Sequence, residues 1–351
     1  MTFPNPIRMP PVTQTLNLAL QGGGAHGAYT WGALDRLLDE EDIAFDSITA
    51  TSAGAMNAAM LVTGLARGGR QGAKDLLAEF WNRITEEAAG PRSPFAMFAL
   101  PPDPEVLNAF YSMSPAYVAG EWLTRTFSPY QLNPMNLNPL RDLLADMIDF
   151  DEVCRGDGPT LYVNATNVRK GRARVFTGTE ITTEALLASA CLPSVFQAIE
   201  IDGEAYWDGG YMGNPAIYPL IYGAKCRDVL IVHINPIVRE ETPKTAPEIA
   251  NRINELSFNA SLMREMRAVD FVQRLLDDGI IPEGKWKRLR IHSVRDDETM
   301  RAFGVATKST PDWAVLKRLH AAGRASTDAW LKAHKGKIGV KDSVDIRAEF
   351  L

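Results

Sequence analysis

The sequence predicts an α/β fold in which a mostly parallel central sheet is covered by helices. Three observations point there. In the first 84 residues, strand-like and helix-like segments follow one another in the order strand, helix, strand, helix. Each strand gives way to its helix through glycine or small residues. The 351 residues, 46% hydrophobic and 23% charged, suit one large soluble domain with a sizeable core.

Thr15–Gln21 reads as a short buried strand, stopped by three glycines. A helical period follows over 25–38, with Ala28, Trp31, Leu34, Leu37 and Leu38 at three- and four-residue intervals. Phe45–Thr51 is a second strand leading into Ser52. Ala53–Leu65 then forms a small-residue helix, and Ala73–Ile84 a third. Between Pro91 and Pro139 no long period appears, and Phe95, Phe98, Phe110, Tyr111, Tyr117, Trp122, Phe127 and Tyr130 are scattered through the stretch. Such an insertion is a lid or substrate-binding element, or else an extended loop packed on the body. Strands resume at Thr160–Thr166, Arg172–Phe176, Ala198–Tyr206 and Asp228–Asn235, with a short helix at Thr183–Ala190. A long helix over 246–276 carries an apolar face of Ile249, Ile253, Leu256, Met263, Met266, Val269 and Val272. Arg288–Ser293 reads as a last strand and Asp312–His334 as a terminal helix. The expected organisation is an N-terminal extension (1–14), a catalytic domain (15–235) with a lid-like insertion (91–139), and a C-terminal helical extension (236–351) packed on that domain.

The net charge of −6 argues against a nucleic-acid partner, since phosphate recognition needs clustered Lys and Arg. Cys154, Cys191 and Cys226 are odd in number and lack CxxC spacing, so they read as reduced thiols rather than disulfides or zinc ligands. The N-terminal stretch has prolines where a secretion signal needs an apolar run, and the best membrane candidate, 53–65, is too short. The expected location is the cytoplasm, peripheral at a lipid surface if the substrate is one. No cofactor, no metal and no calcium loop are indicated.

Three short motifs carry chemistry. Gln21-Gly22-Gly23-Gly24-Ala25-His26-Gly27 lies between strand and helix, where uncovered N–H groups suit a phosphate or an oxyanion. A dinucleotide would need an acid at the end of the second strand. Asp46 lies near its start, and Ser52 stands where that acid would be. Ala50-Thr51-Ser52-Ala53-Gly54 places a serine on a sharp strand-to-helix turn, which read alone is equally a packing turn or a helix cap. Trp207-Asp208-Gly209-Gly210 read alone is a turn, but beside a serine its carboxylate becomes a candidate base.

Together these motifs resemble the patatin-like phospholipase family: a glycine-rich loop after the first strand, a G-x-S-x-G elbow after the second, and D-G-G downstream. Ala188-Ser189-Ala190-Cys191-Leu192-Pro193-Ser194-Val195-Phe196 and Asn214-Pro215 resemble it too, so the likeness spans roughly 16–219. It implies a three-layer sandwich and a lipid acyl hydrolase using a Ser-Asp dyad. Ser52 would be the nucleophile and Asp208 the base. Gly22, Gly23 and Gly24, with the Ala53 amide, would bind the oxyanion. His26, Gly54, Gly209 and Gly210 would shape the site. The partner would be a lipid or other ester, including an intracellular polyester or a thioester; a non-catalytic lipid-binding relative is the remaining alternative. Two departures stand out. Ala50 replaces the first elbow glycine, and His26 stands where many relatives have Arg or Lys. Of the other histidines, His233 reads as a satisfied core residue, His292 as the position to check for a conventional triad, and His320 and His334 as solvated.

Overall fold

The computed structural model describes residues 13–89, 113–155, 158–282, 284–309 and 311–351. Nearly all of the expected N-terminal extension and residues 91–112 of the expected lid-like insertion lie outside the described residues.

Eight strands build one sheet: β1 (Gln14–Leu20), β2 (Ile43–Thr51), β3 (Thr160–Asn167), β4 (Arg172–Thr177), β5 (Ile199–Ile201), β6 (Glu204–Asp208), β7 (Asp228–Val232) and β8 (Arg290–Val294). Their order is β5-β6-β3-β2-β1-β7-β8, with β4 also on β3. The five strands from β3 to β8 across the middle run parallel, and the antiparallel pairings are β3–β4, β3–β6 and β5–β6.

Burial on both faces explains the apolar strands. Leu16, Leu18 and Leu20 of β1, with Leu230 and Val232 of β7, join one core, whereas Ala19, Val229 and Ile231 join the other. The first core is covered by α1 (Gly27–Leu37) and α2 (Ala53–Ala89), the second by elements that come later in the chain. Between the two lie α3 (Pro115–Thr126), α4 (Pro129–Leu132), α5 (Pro139–Met147), α6 (Phe150–Cys154) and α7 (Thr183–Ser189) in sequence. The second core is covered by α8 (Tyr218–Tyr222), α9 (Ala246–Asp277) and, after α10 (Asp297–Arg301), α11 (Val305–Lys308) and α12 (Trp313–His334), by α13 (Ile346–Phe350). Helix α12 returns to the first face and crosses α1, where a Cβ on Gly32 would strike the His320 backbone and one on Gly323 the Tyr29 backbone. The layers are helix, sheet, helix. The C-terminal segment thus contributes a strand, β8, as well as helices.

Three expectations need correcting in detail. The strand expected over 198–206 is a hairpin: Asp202 (φ 51°) and Gly203 (φ 76°) make a tight turn between β5 and β6. Helix α2 joins both expected helices, but the chain leaves helical geometry at Gly68 and Gly69, and Gly64 packs against Ala73. On α9 the expected face holds in the second half, where Met266 and Val269 are buried and Met263 packs on the core, but not in the first. Ile249, Ile253 and Leu256 are exposed, whereas Glu255, Phe258, Asn259, Leu262, Met266 and Val269 are buried. Glu255 turns inward because Arg239 (2.6 Å) and Arg252 (3.1 Å) meet it there. Asn259 turns inward to bond Gln21 and the Pro236 carbonyl.

Candidate active site

Strand β3 explains how residues 52 and 208 become neighbours. β4 pairs with β3 from Tyr162 to Asn167 and fills one edge. The other edge is shared: β2 pairs with β3 up to Thr51–Asn164, and β6 begins its pairing at Asp208–Ala165. β2 and β6 therefore meet end to end, and each delivers its last residues to the same point above the sheet.

Ser52 takes the turn from β2 into α2 at φ 54°, the left-handed region that costs a non-glycine residue roughly 1–2 kcal/mol. The Ser52 N–H donates to Ser189 Oγ at 2.9 Å, and its carbonyl accepts from Ala55 and Met56. Ala50, by contrast, is an ordinary buried residue of β2 without positive φ, whose carbonyl accepts from Asn164 Nδ2. The departure from glycine there introduces no strain. The strain sits at Ser52.

The glycine loop is clamped from several directions. Gln21 Oε1 accepts from the N–H groups of Ile234 and Asn235, and its Nε2 donates to Asn259 Oδ1. Asn235 Nδ2 donates to the Gly22 carbonyl at 3.0 Å. Gly22 itself corrects an expectation: its N–H donates to Asn214 Oδ1 at 2.6 Å and is not free for an oxyanion. The N–H groups of Gly23, Gly24 and Ala53 have no partner among the described residues, and all three residues line the cavity around Ser52. Gly24 needs to be glycine. It has φ 58°, and a Cβ would lie 2.6 Å from the Lys308 carbonyl oxygen. Gly54 packs on the Leu20 and Gln21 carbonyls, and Gly209 on that of Asn164.

Asp208 is buried (1% exposed) and lines the same cavity. Burial raises its pKa to about 6, against the lowering effects of the Gly210 N–H, which donates to Oδ1 at 2.7 Å, and of the Ser52 hydroxyl. The hydroxyl is near enough to act on the carboxylate, yet Oδ2 makes no hydrogen bond of accepted geometry among the described residues. The contact is a close approach that falls short of a formed hydrogen bond. Apo sites commonly have such loose contacts.

The cavity, about 380 Å³, is largely apolar: Met56, Phe80, Trp81, Ile84, Leu140, Leu192, Val195 and Phe196 supply its walls. Trp81 is held by Nε1 donating to Asn57 Oδ1 at 3.0 Å. Tyr130 and Asn133, in the described part of the insertion, bond to the Ala198 N–H and the Gln197 side chain, just past Phe196. Opposite these walls, α11 closes over the glycine loop. Thr307 Oγ1 donates to the Gly304 carbonyl, so His26 Nε2–H must be the donor in the 2.8 Å bond to that hydroxyl. Burial and then Lys308 hold the His26 pKa well below its usual value, so the ring is neutral. His26 thus fastens α11 to the loop. Asn214, Asn235, Ser189 and the whole of α11 have no role that the sequence assigns; Ser189 and Asn214 do fall within the family-like stretches.

The remaining histidines lie elsewhere. His292, on edge strand β8 and separated from β2 by β1 and β7, has Nε2 on Asp228 Oδ1 at 3.0 Å. His233 is buried against Phe350, and neither ring nitrogen has a partner among the described residues, so it is a core residue but not a satisfied one. His320 is not solvated. It packs on Trp31 with ring centroids 4.0 Å apart and bonds Asp35 at 3.0 Å. His334 is half-buried near Trp330 rather than fully solvated. Among the described residues no three His, Cys, Asp or Glu side chains gather as a metal would require, and no helix is long and apolar enough to cross a membrane. The three thiols are free.

The model of the family described as patatin-like phospholipase matches residues 18–221, more than half of the chain. Among solved structures, the chain is similar to VipD from Legionella pneumophila, with 16% identity, 93% of this chain and 67% of that chain covered, and a TM-score of 0.43. It is also similar to a chain in the heterodimeric ExoU–SpcU complex of the type III secretion system of Pseudomonas aeruginosa. That match has 17% identity, covers 91% of this chain and 52% of the other, and has a TM-score of 0.29. No curated protein matches the sequence.

Proposed function

The chain belongs to the patatin-like phospholipase family, and from that premise we propose that it is a serine hydrolase of lipid carboxylic esters with Ser52 as nucleophile and Asp208 as its only acid–base partner. The single observation carrying the assignment is the junction on β3, where β2 and β6 meet and a serine in left-handed conformation shares a cavity with a buried carboxylate. A carboxylate with a pKa of about 6 is a stronger base than an ordinary one and is still ionised at neutral pH.

In the first half-reaction the Ser52 hydroxyl oxygen bonds to the ester carbonyl carbon and its proton passes to Asp208. The oxyanion that forms takes hydrogen bonds from the Gly23, Gly24 and Ala53 N–H groups; each such donor is worth about 3 kcal/mol to the transition state. Collapse breaks the bond to the alkoxy oxygen, which leaves as alcohol with the Asp208 proton. In the second half, Asp208 takes a proton from water, whose oxygen attacks the acyl-enzyme, and Ser52 departs with that proton. The apolar walls fit an acyl chain. Exposed Trp122, Phe127, Leu132, Met135 and Leu137, in the same insertion that braces the cavity wall, support transient contact with a lipid surface, and three free thiols support a cytoplasmic setting.

A fluorophosphonate probe tests the nucleophile: folded wild-type protein should be labelled at Ser52 and Ser52→Ala should not. A panel of diacyl glycerophospholipids, p-nitrophenyl esters and hydroxyalkanoate oligomers, run on both proteins, assigns the ester class. Absence of labelling and of turnover in folded wild type would reject the hydrolase reading.

A further inference from the structure

The cavity around Ser52 holds two charged lining residues among those described, Asp208 and Lys308. The dyad uses the first and leaves the second without a role. Lys308 is the last residue of α11, half-buried where its backbone meets the glycine loop. Its Nζ donates to Asn235 Oδ1 at 2.7 Å and to Asn254 Oδ1 at 2.8 Å. Both acceptors are neutral amides, and an ammonium has three N–H groups. One donor is left over, and apart from the face of the Phe258 ring, 5.9 Å from Nζ, nothing meets the charge among the described residues.

No carboxylate within ion-pair distance compensates that charge among the described residues. The acid that acts on it, Glu255, has its oxygens taken by Arg239 and Arg252. Arg239 opposes the ammonium, and His26 on the facing loop is neutral and brings no charge of its own. Burial draws the Lys308 pKa down to about 8, so it remains a cation at neutral pH. A cation left without an anionic partner beside apolar walls is costly unless a ligand supplies one. If Lys308 served only to tie α11 to α9, a neutral donor would do so without that cost.

The geometry points to Lys308 as the specificity-determining residue of the cavity, binding an anionic oxygen group, phosphate diester or carboxylate, that the substrate carries beside its scissile ester. This rests on the cavity being the ester site, and it adds that neutral esters lack one contact the site provides.

The test is equilibrium binding to Ser52→Ala protein, which cannot turn substrate over. Three soluble probes are compared: dihexanoylphosphatidylcholine, the linear dimer of 3-hydroxybutyrate, and dihexanoylglycerol, which has no anion. Lys308→Gln, which keeps an N–H for the asparagines but no charge, should weaken binding of at least one anionic probe ten-fold or more. Dihexanoylglycerol should change less than three-fold, and Lys308→Arg should retain the preference. Which anionic probe suffers tells phosphate from carboxylate. Equal loss for all three probes, or no loss for any, overturns the assignment. Should Lys308→Gln not fold, the intact lysine gives the same answer through pH: binding of the favoured anionic probe must decline above pH 8 while that of dihexanoylglycerol does not, and parallel pH profiles reject it. Failure of the hydrolase reading would appear separately, as absence of turnover by wild type, and leaves these binding comparisons readable.

Discussion

Replacing Asp208 by asparagine should abolish hydrolysis and at the same time stabilise the fold at neutral pH. Burial holds this carboxyl at about 6 instead of the usual 3.8. A rise of that size corresponds to about 3 kcal/mol of free energy set against the ionised form in the native state. The raised pKa fixes the sign. Below pH 3.8 the group is protonated folded or unfolded, and its full favourable contribution is present. From 3.8 to 6 the unfolded chain releases the proton first, so this contribution is lost as pH rises. Above 6 the loss is complete. The amide of Asp208→Asn would keep an oxygen for the Gly210 N–H and remove the titration. Urea unfolding of wild type and variant at pH 4, 5, 6 and 7.5 should therefore give a stability difference that moves in favour of the variant by about 2 kcal/mol across the series, whatever constant offset the new amide adds. A difference that is flat with pH, or that moves the other way, would refute the claim that the native state strains against this charge. The catalytic proposal would then lose its strongest base.

Ser52→Gly and Ser52→Ala should both be inactive, but the glycine variant should be more stable by about 0.5–1 kcal/mol in thermal or urea unfolding, because the left-handed turn no longer carries a Cβ. Gly24→Ala should lower kcat/KM at least ten-fold and stability by about 1–3 kcal/mol, since the added methyl must push away the Lys308 carbonyl at a positive φ. His292→Ala should leave turnover per folded molecule within a few-fold, as the ring serves Asp228; a loss on the order of a thousand-fold would restore a conventional triad and remove the dyad. Turnover should rise with pH through about 6 as Asp208 ionises; on anion-bearing esters alone it should fall again above about 8, when Lys308 is neutral.

Ser52, Asp208 and the parallel sheet are legible because each is written locally: a serine among small residues after an apolar strand, an Asp-Gly-Gly turn, alternating strands and helices. The hairpin at 202–203 is legible too, in its Asp-Gly pair, but a continuous β-like run over 198–206 masks it. The α9 face misleads for a physical reason. Two of the six buried residues, Glu255 and Asn259, are polar and satisfied by partners outside the helix, so in its first half hydrophobic spacing picks the exposed Ile249, Ile253 and Leu256 instead. Gly22 looks like a free donor because nothing local announces that Asn214, 192 positions on, accepts its N–H. Lys308 is the extreme case: an ordinary lysine on a four-residue helix acquires meaning solely from what α11 rests upon.

The roof over the glycine loop is drawn from beyond the stretch that the family model recognises. His26 and Thr307 rivet it on, and Gly24 leaves room for it. On the proposed functions, bond cleavage and the choice of what is cleaved fall to separate portions of the polypeptide.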